Sequence, residues 1–146
     1  MQRIGALLLP MFLKMIRAVL DTNIFISALF WRGIPYHVVK KGLEGNFHIL
    51  VSQGILEEVG EKLYQKFKFP VEDTRTFLEV ITVDSYLVEP EEKVRIVKDD
   101  PSDNKIIECA LAGRAHFIVS GDKHLLKIKE YKNIRIITPR QFFKFL

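Results

Sequence analysis

At 146 residues, 48% hydrophobic and 27% charged, the chain has room for one domain with a real core but not for two, and its composition excludes wholesale disorder. A single cysteine, Cys109, rules out an internal disulfide framework or a thiolate metal cluster and fits a reducing cytoplasm. The formal charge of +4 is unevenly spread, with seven Lys and Arg against two acids from Asp122 to Leu146; that asymmetry suits an acidic site acting on a polyanion as well as it suits a solvated helical face.

Residues 1–14 (MQRIGALLLPMFLK) set Arg3 before a short apolar stretch, as a signal peptide does, but Pro10 interrupts it and no small-residue cleavage pattern follows. The stretch is too short to span a bilayer, and no membrane association is expected. It reads as an extension upstream of a single domain over 15–146. Either it is an artefact of start-codon choice, with Met15 the natural first residue, or it is an apolar flap that must pack on something.

The run from Ile16 to Leu20 ends abruptly at Asp21, Thr22 and Asn23, which predicts a buried parallel strand delivering Asp21 to the sheet's carboxyl edge. Asp21 and Asn23 are also good helix caps, and on this stretch alone that reading stands beside the first. Ile24, Phe25, Ala28 and Leu29 recur at helical spacing, with Gly33 and Pro35 expected to close that helix. A short helix is expected over Tyr36 to Leu43 and a strand over Phe47 to Val51. Ser52 then caps a helix with the apolar stripe Ile55, Leu56, Val59, Leu63 and Phe67, ended by Pro70.

Val71 to Val83 predicts another helix, followed by short extended pieces at Tyr86 to Pro90 and Val94 to Val97. The polar block Lys98 to Lys105 opens a helix running to Gly113; Phe117 to Val119 is a strand, and Leu125, Leu126 and Ile128 suggest a helical turn. Ile134 to Ile137 is the last strand. Thr138 and Gln141 bracket a capping box with Pro139 at the first position of a final helix to Leu146. Strands alternating with helices predict an α/β domain, a parallel sheet flanked on both faces.

Three of the strand-to-helix junctions carry acids: Asp21; Glu57 and Glu58, one turn into the helix after Phe47 to Val51; and Asp122, just beyond Phe117 to Val119. Asp103 adds a fourth from a helix start. Asp100 as cap, Pro101 as first helical residue and Asp103 as a first-turn acid would be an ordinary helix opening. Yet Asp103, Ile106, Ile107, Ala110 and Leu111 share one helical stripe, which turns Asp103 inward. An inward carboxylate needs a partner. Like charges about 4 Å apart repel by about 4 kcal/mol at an effective dielectric near 20, so four converging carboxylates need a cation. Lys105 and Lys123 point off the stripe, and hard oxygen ligands with room for water favour Mg²⁺ or Mn²⁺.

These residues resemble PIN-domain nucleases, especially the branch of toxin components of toxin–antitoxin pairs, VapC-like proteins among them. AVLDTN at 18–23, Ser52 to Val59 with its Glu-Glu-Val, DPSD at 100–103 and VSGD at 119–122 follow in that family's order and spacing over 15–146. The resemblance implies a three-layer α/β/α fold with a central parallel sheet. It implies Asp21, Glu58, Asp103 and Asp122 as the catalytic, metal-binding acids. Glu58 is preferred to Glu57 because the family's acid directly precedes an aliphatic, here Val59. Asn23 and Ser120 match polar positions that orient the carboxylates or a metal-bound water. Asp100 is a further candidate, and so is His124, which stands two residues after the last motif where relatives often carry another acid. That departure bears on whether a second metal binds.

The implied activity is Mg²⁺- or Mn²⁺-dependent endoribonuclease cleavage, preferring single strands and leaving 5'-phosphate and 3'-hydroxyl ends. The implied partners are RNA, an antitoxin protein and further copies of the chain in a homodimer or higher homo-oligomer. Two rivals stay open: a nucleic-acid-binding module of the same fold without catalysis, and a dehalogenase-type phosphohydrolase. The second needs another Asp two residues after the first, where this chain has Asn23. Cys109 reads as a small core residue, and His37, His48 and His116 have no zinc-site spacing. Trp31, near Arg32 and Tyr36, suits either base stacking or an interface. Phe142, Phe143 and Phe145 do not fit one buried face and are expected in a dimer contact or against the extension.

Overall fold

The computed structural model describes residues 14–97, 100 and 102–146. The extension expected over 1–14, apart from Lys14, lies outside the described residues, as do Lys98, Asp99 and Pro101 of the polar block. Among the described residues, six strands form one sheet in the order β3-β2-β1-β4-β6-β5. They are β1 (Arg17–Leu20), β2 (His48–Val51), β3 (Tyr86–Leu87), β4 (Phe117–Val119), β5 (Glu130–Tyr131) and β6 (Ile134–Ile137). All pairings are parallel except that of β5 with β6.

Among the described residues, seven helices connect and cover the strands: α1 (Thr22–Phe30), α2 (Ile34–Leu43), α3 (Gln53–Gln65), α4 (Val71–Val83), α5 (Asp103–Ala112), α6 (Lys123–Leu126) and α7 (Pro139–Phe143). α5 packs against β1, β2 and β4, while α2 packs on β2 and α7, and α1 on α2 and α3. This is the expected three-layer arrangement. Helices on both faces cover the centre of the sheet, which is why β1 and β4 are buried at every residue rather than at alternate ones. Gly42 lets α2 rest directly on β2, since a Cβ there would meet Ile49 Cδ1 at 2.5 Å. Among the described residues no helix is long and apolar enough to cross a membrane.

Departures from the expected elements have local causes. Pro35 opens α2 instead of closing the helix before it, because the first turn of a helix has no use for the missing N–H. α3 stops at Gln65, where Lys68 turns to φ 52° and the Phe69 amide bonds back to Leu63. Phe67 therefore leaves the buried stripe: it is 43% exposed and stacks on Phe30 at 5.0 Å. The final helix ends at Phe143, short of Leu146. β5, two residues long, offered no periodicity to read.

Among the described residues, the extended piece at Val94 to Val97 pairs with no strand. Its backbone is bound by the side chains of α5: Asn104 Oδ1 accepts from the amides of Ile96 and Val97 at 3.0 and 2.9 Å, Asn104 Nδ2 donates to the Val97 carbonyl, and Glu108 accepts from Val94. These bonds pin the N-terminal end of α5, where Asp103 sits.

Candidate metal-binding acidic site

The strand order reverses between β1 and β4: the chain builds outward through β2 and β3, then returns to the other side of β1. In such sheets a crevice opens beyond the carboxyl ends of the two strands flanking the reversal. Leu20 pairs with Val119, so the residues that follow each strand, Asp21 and Ser120, emerge side by side. The Asp21 amide continues the ladder to the Val119 carbonyl at 2.9 Å. Asp21 takes the N-cap position of α1 but makes no side-chain capping bond; its Oδ2 instead accepts from Ser120 Oγ at 2.7 Å. Ser120 Oγ in turn accepts from the Asp122 amide at 2.9 Å, which ties the two acidic segments together.

Asp21, Asp103 and Asp122 each offer a carboxylate oxygen, and these oxygens all lie within 4.8 Å of one another. Asp21 and Asp103 are both only 5% exposed. Asp122 is half-buried and caps α6, accepting from the His124 amide at 2.7 Å. The crowding has an electrostatic signature. Burial, and then the charges of Asp122, Asp21 and Asp100, push the Asp103 carboxyl up to about 8. Burial also raises Asp21, against the opposing pull of the Ser120 bond and of the Lys62 ammonium.

Asp103 Oδ2 is buried and, among the described residues, has no hydrogen-bond partner. A native fold rarely tolerates such an atom without a ligand to meet it. Three carboxylates with one orphaned oxygen form a hard-oxygen donor set that fits a divalent cation.

Glu58 is not in that group of three. Its Oε2 accepts from Thr22 Oγ1 at 2.7 Å, so it is bound to the first residue of α1 rather than to the other acids. The structure separates it from Glu57, which is exposed and bonded to Gln53 along its own helix. Asp100 stands outside as well: its Oδ1 accepts from the amide and hydroxyl of Ser102, shaping the turn into α5. Asn23 is exposed and its Oδ1 faces Lys62 Nζ at 3.5 Å. His124 is exposed beside Asp122.

Two residues of this neighbourhood were missed in the sequence. Thr22 lies inside the AVLDTN motif without having been assigned a role. Lys62 was not weighed, since Lys105 and Lys123 are the lysines adjacent to the acids in sequence. It lies four residues after Glu58 on α3, and that helical spacing was the available signal. Cys109 is a buried core residue, its thiol pushed up to about 12 by burial.

Residues 17–124 match the family model of the PIN domain. The uncharacterized protein MJ1680 of Methanocaldococcus jannaschii is 29% identical over 142 residues, covering 88% of this chain and 90% of that protein. Among solved structures, a chain in the crystal structure of VapBC2 from Rickettsia felis bound to a DNA fragment from the promoter is similar in fold, with a TM-score of 0.60. The two are 17% identical, and the likeness covers 84% of this chain and 98% of that one. The family match thus runs from the strand that delivers Asp21 through the loop that holds Asp122, and by it this chain belongs to the PIN domain family of nucleases.

Proposed function

We propose that this protein is a divalent-metal-dependent endoribonuclease that hydrolyses RNA phosphodiester bonds and acts as the toxin of a toxin–antitoxin pair. The observation that carries the reading is the buried, unpartnered Asp103 Oδ2 beside the carboxylates of Asp21 and Asp122. In this reading Asp21, Asp103 and Asp122 hold Mg²⁺ or Mn²⁺, and Glu58 is the fourth catalytic acid, kept in place by Thr22. When bound, the metal supplies an acidified water and charge stabilisation for in-line attack on phosphorus.

The chain's own groups prepare that chemistry. Ser120 holds the Asp21 carboxylate through a charge-assisted bond and fixes the Asp122 backbone with the same oxygen. The His124 amide holds Asp122 Oδ1, and Asn104 locks the segment before α5 so that Asp103 stays turned inward. Burial and the neighbouring carboxylates raise the Asp103 carboxyl to about 8 and so favour its protonated form at neutral pH, and a bound cation would favour the ionised one.

The toxin assignment leans on the resemblance to VapC-like proteins and on the Rickettsia felis neighbour, a VapBC2 complex on promoter DNA. It brings with it an antitoxin partner, a homodimer or higher homo-oligomer and a cytoplasmic location. Exposed apolar residues on the described surface, among them Trp31, Tyr64 and Val71, are compatible with such contacts. The test is incubation of purified protein with structured and unstructured RNA in Mn²⁺ or in EDTA, beside Asp103→Asn. Cleavage of the unstructured RNA is expected in Mn²⁺ alone and from the wild type alone. Cleavage that persists in EDTA, or in the variant, would refute the assignment, and RNA binding without cleavage would favour the catalytically inactive module.

A further inference from the structure

We propose that Lys62 is the phosphate-binding cation of this site, holding the RNA backbone beside the carboxylates; the inference rests on the nuclease reading and deepens it. Glu58 and Lys62 lie one helical turn apart on α3, and both reach the first turn of α1. Glu58 meets Thr22 and Lys62 meets Asn23. The half-buried Lys62 thus sits on the rim of the acidic crevice, close enough for its charge to oppose the rise that burial imposes on the Asp21 carboxyl.

An ammonium has three donors and no acceptor. Among the described residues, the partner of Lys62 Nζ is a neutral amide oxygen, Asn23 Oδ1, at the long distance of 3.5 Å. No carboxylate of the cluster ion-pairs with it, although it lies beside them. Its donors therefore remain available to an anion, in a position where partial burial limits screening by salt.

A phosphodiester entering this crevice meets three carboxylates within 4.8 Å of one another. Even with a divalent ion bound, a negatively charged strand needs a positive group outside the ligand set to hold it there. Lys105 and Lys123, adjacent in sequence to Asp103 and Asp122, are both exposed. Of these three lysines, Lys62 is the one that bonds to a residue of the Asp21 motif, Asn23. The competing role is plain counter-charge, in which Lys62 does no more than offset the acids. The two roles differ in what they do to RNA and to metal.

The experiment uses full-length protein. A fluorescent single-stranded oligoribonucleotide is titrated, at several KCl concentrations, with the metal-free Asp103→Asn protein with and without Lys62→Gln. Lys62→Gln is expected to weaken binding about fivefold to tenfold and to flatten the slope of log affinity against log salt by about 0.7, the loss of one phosphate contact on a single strand. Lys62→Arg is expected to restore most of the affinity. In the otherwise wild-type chain, Lys62→Gln is expected to lower kcat/KM for RNA by about tenfold, while Mn²⁺ affinity, read by calorimetry, does not weaken because a repelling charge has gone. Unchanged RNA affinity, salt slope and cleavage in Lys62→Gln, beside a wild type that cleaves, would overturn the Lys62 assignment alone. A wild type that neither binds nor cleaves the RNA would overturn the nuclease reading and this inference together.

Discussion

The two edges of the sheet both bury charge, and they treat it in opposite ways. At the amino edge Arg17 opens β1 only 7% exposed. Its Nε donates to the Arg114 carbonyl at 2.8 Å, its Nη1 reaches the Met15 carbonyl, and its amide donates to His116 Nδ1 at 3.0 Å. Burial, with Arg114 nearby, holds the guanidinium below its usual pKa, yet the group donates to the backbone carbonyls of Arg114 and Met15. At the carboxyl edge Asp103 is equally hidden, surrounded by groups of its own sign, and leaves Oδ2 without a partner. A buried charge that the fold itself satisfies belongs to the architecture. One that the fold crowds and leaves open is arranged for something that arrives later.

Substitution at the two edges should separate these roles. Asp21→Asn is expected to reduce Mn²⁺-dependent cleavage by roughly 10³-fold or more, the scale of losing charge stabilisation at a reacting centre, with circular dichroism unchanged. Arg17→Met is expected to do the reverse. It leaves the Arg114 carbonyl unpaired and costs about 1–3 kcal/mol in urea denaturation, while the folded fraction binds Mn²⁺ normally. Loss of Mn²⁺ binding in Arg17→Met would erase the distinction between the edges.

The pH dependence sharpens it. The Asp103 carboxyl, pushed up to about 8, stays protonated in the metal-free folded chain at pH values where the unfolded chain has ionised it, from about 4 upward. The folded state binds more protons across that window. The stability associated with Asp103 is therefore fully present below about pH 4 and is lost as pH rises through about 8. Tm measured in EDTA is expected to fall between pH 5 and 8, and Asp103→Asn is expected to flatten that fall and raise Tm at pH 7 by roughly 2–6 °C, an effect on the order of 1 kcal/mol. An identical slope in the variant would mean that the carboxyl is not crowded.

Smaller effects are expected away from the three clustered acids. Thr22→Val removes the hydroxyl that holds Glu58 and is expected to lower Mn²⁺-dependent cleavage by about tenfold, as loss of a catalytic acid's supporting bond does. Cys109→Ala is expected to leave cleavage unchanged and to cost about 1 kcal/mol, since a buried thiol pushed up to about 12 is packing rather than chemistry.

The strand runs, the Ser52 cap and the Thr138–Gln141 capping box were readable because each is decided within a few residues of itself. So was the inward turn of Asp103, which follows from the stripe it shares with Ile106, Ile107 and Ala110. The bonds from Asn104 to the loop at 94–97 were not readable, because side chains there replace a strand partner and leave no periodicity behind. The separation of Glu57 from Glu58 was equally hidden to helical angle, and appears only when Thr22 from another element selects one of them.

By itself the sequence determined an α/β domain and acids at the ends of its strands, because apolar runs, caps and helical stripes act through near neighbours. Only the tertiary structure decided which acids share a crevice, that Glu58 stands off on Thr22, that Lys62 leans in over Asn23, and that one oxygen of Asp103 is left unmet. Those outcomes depend on the register of β1 against β4 and on how helices distant in the chain lie across their carboxyl ends. Through-space distance sets the energy of a charge, and distance along the chain says little about it.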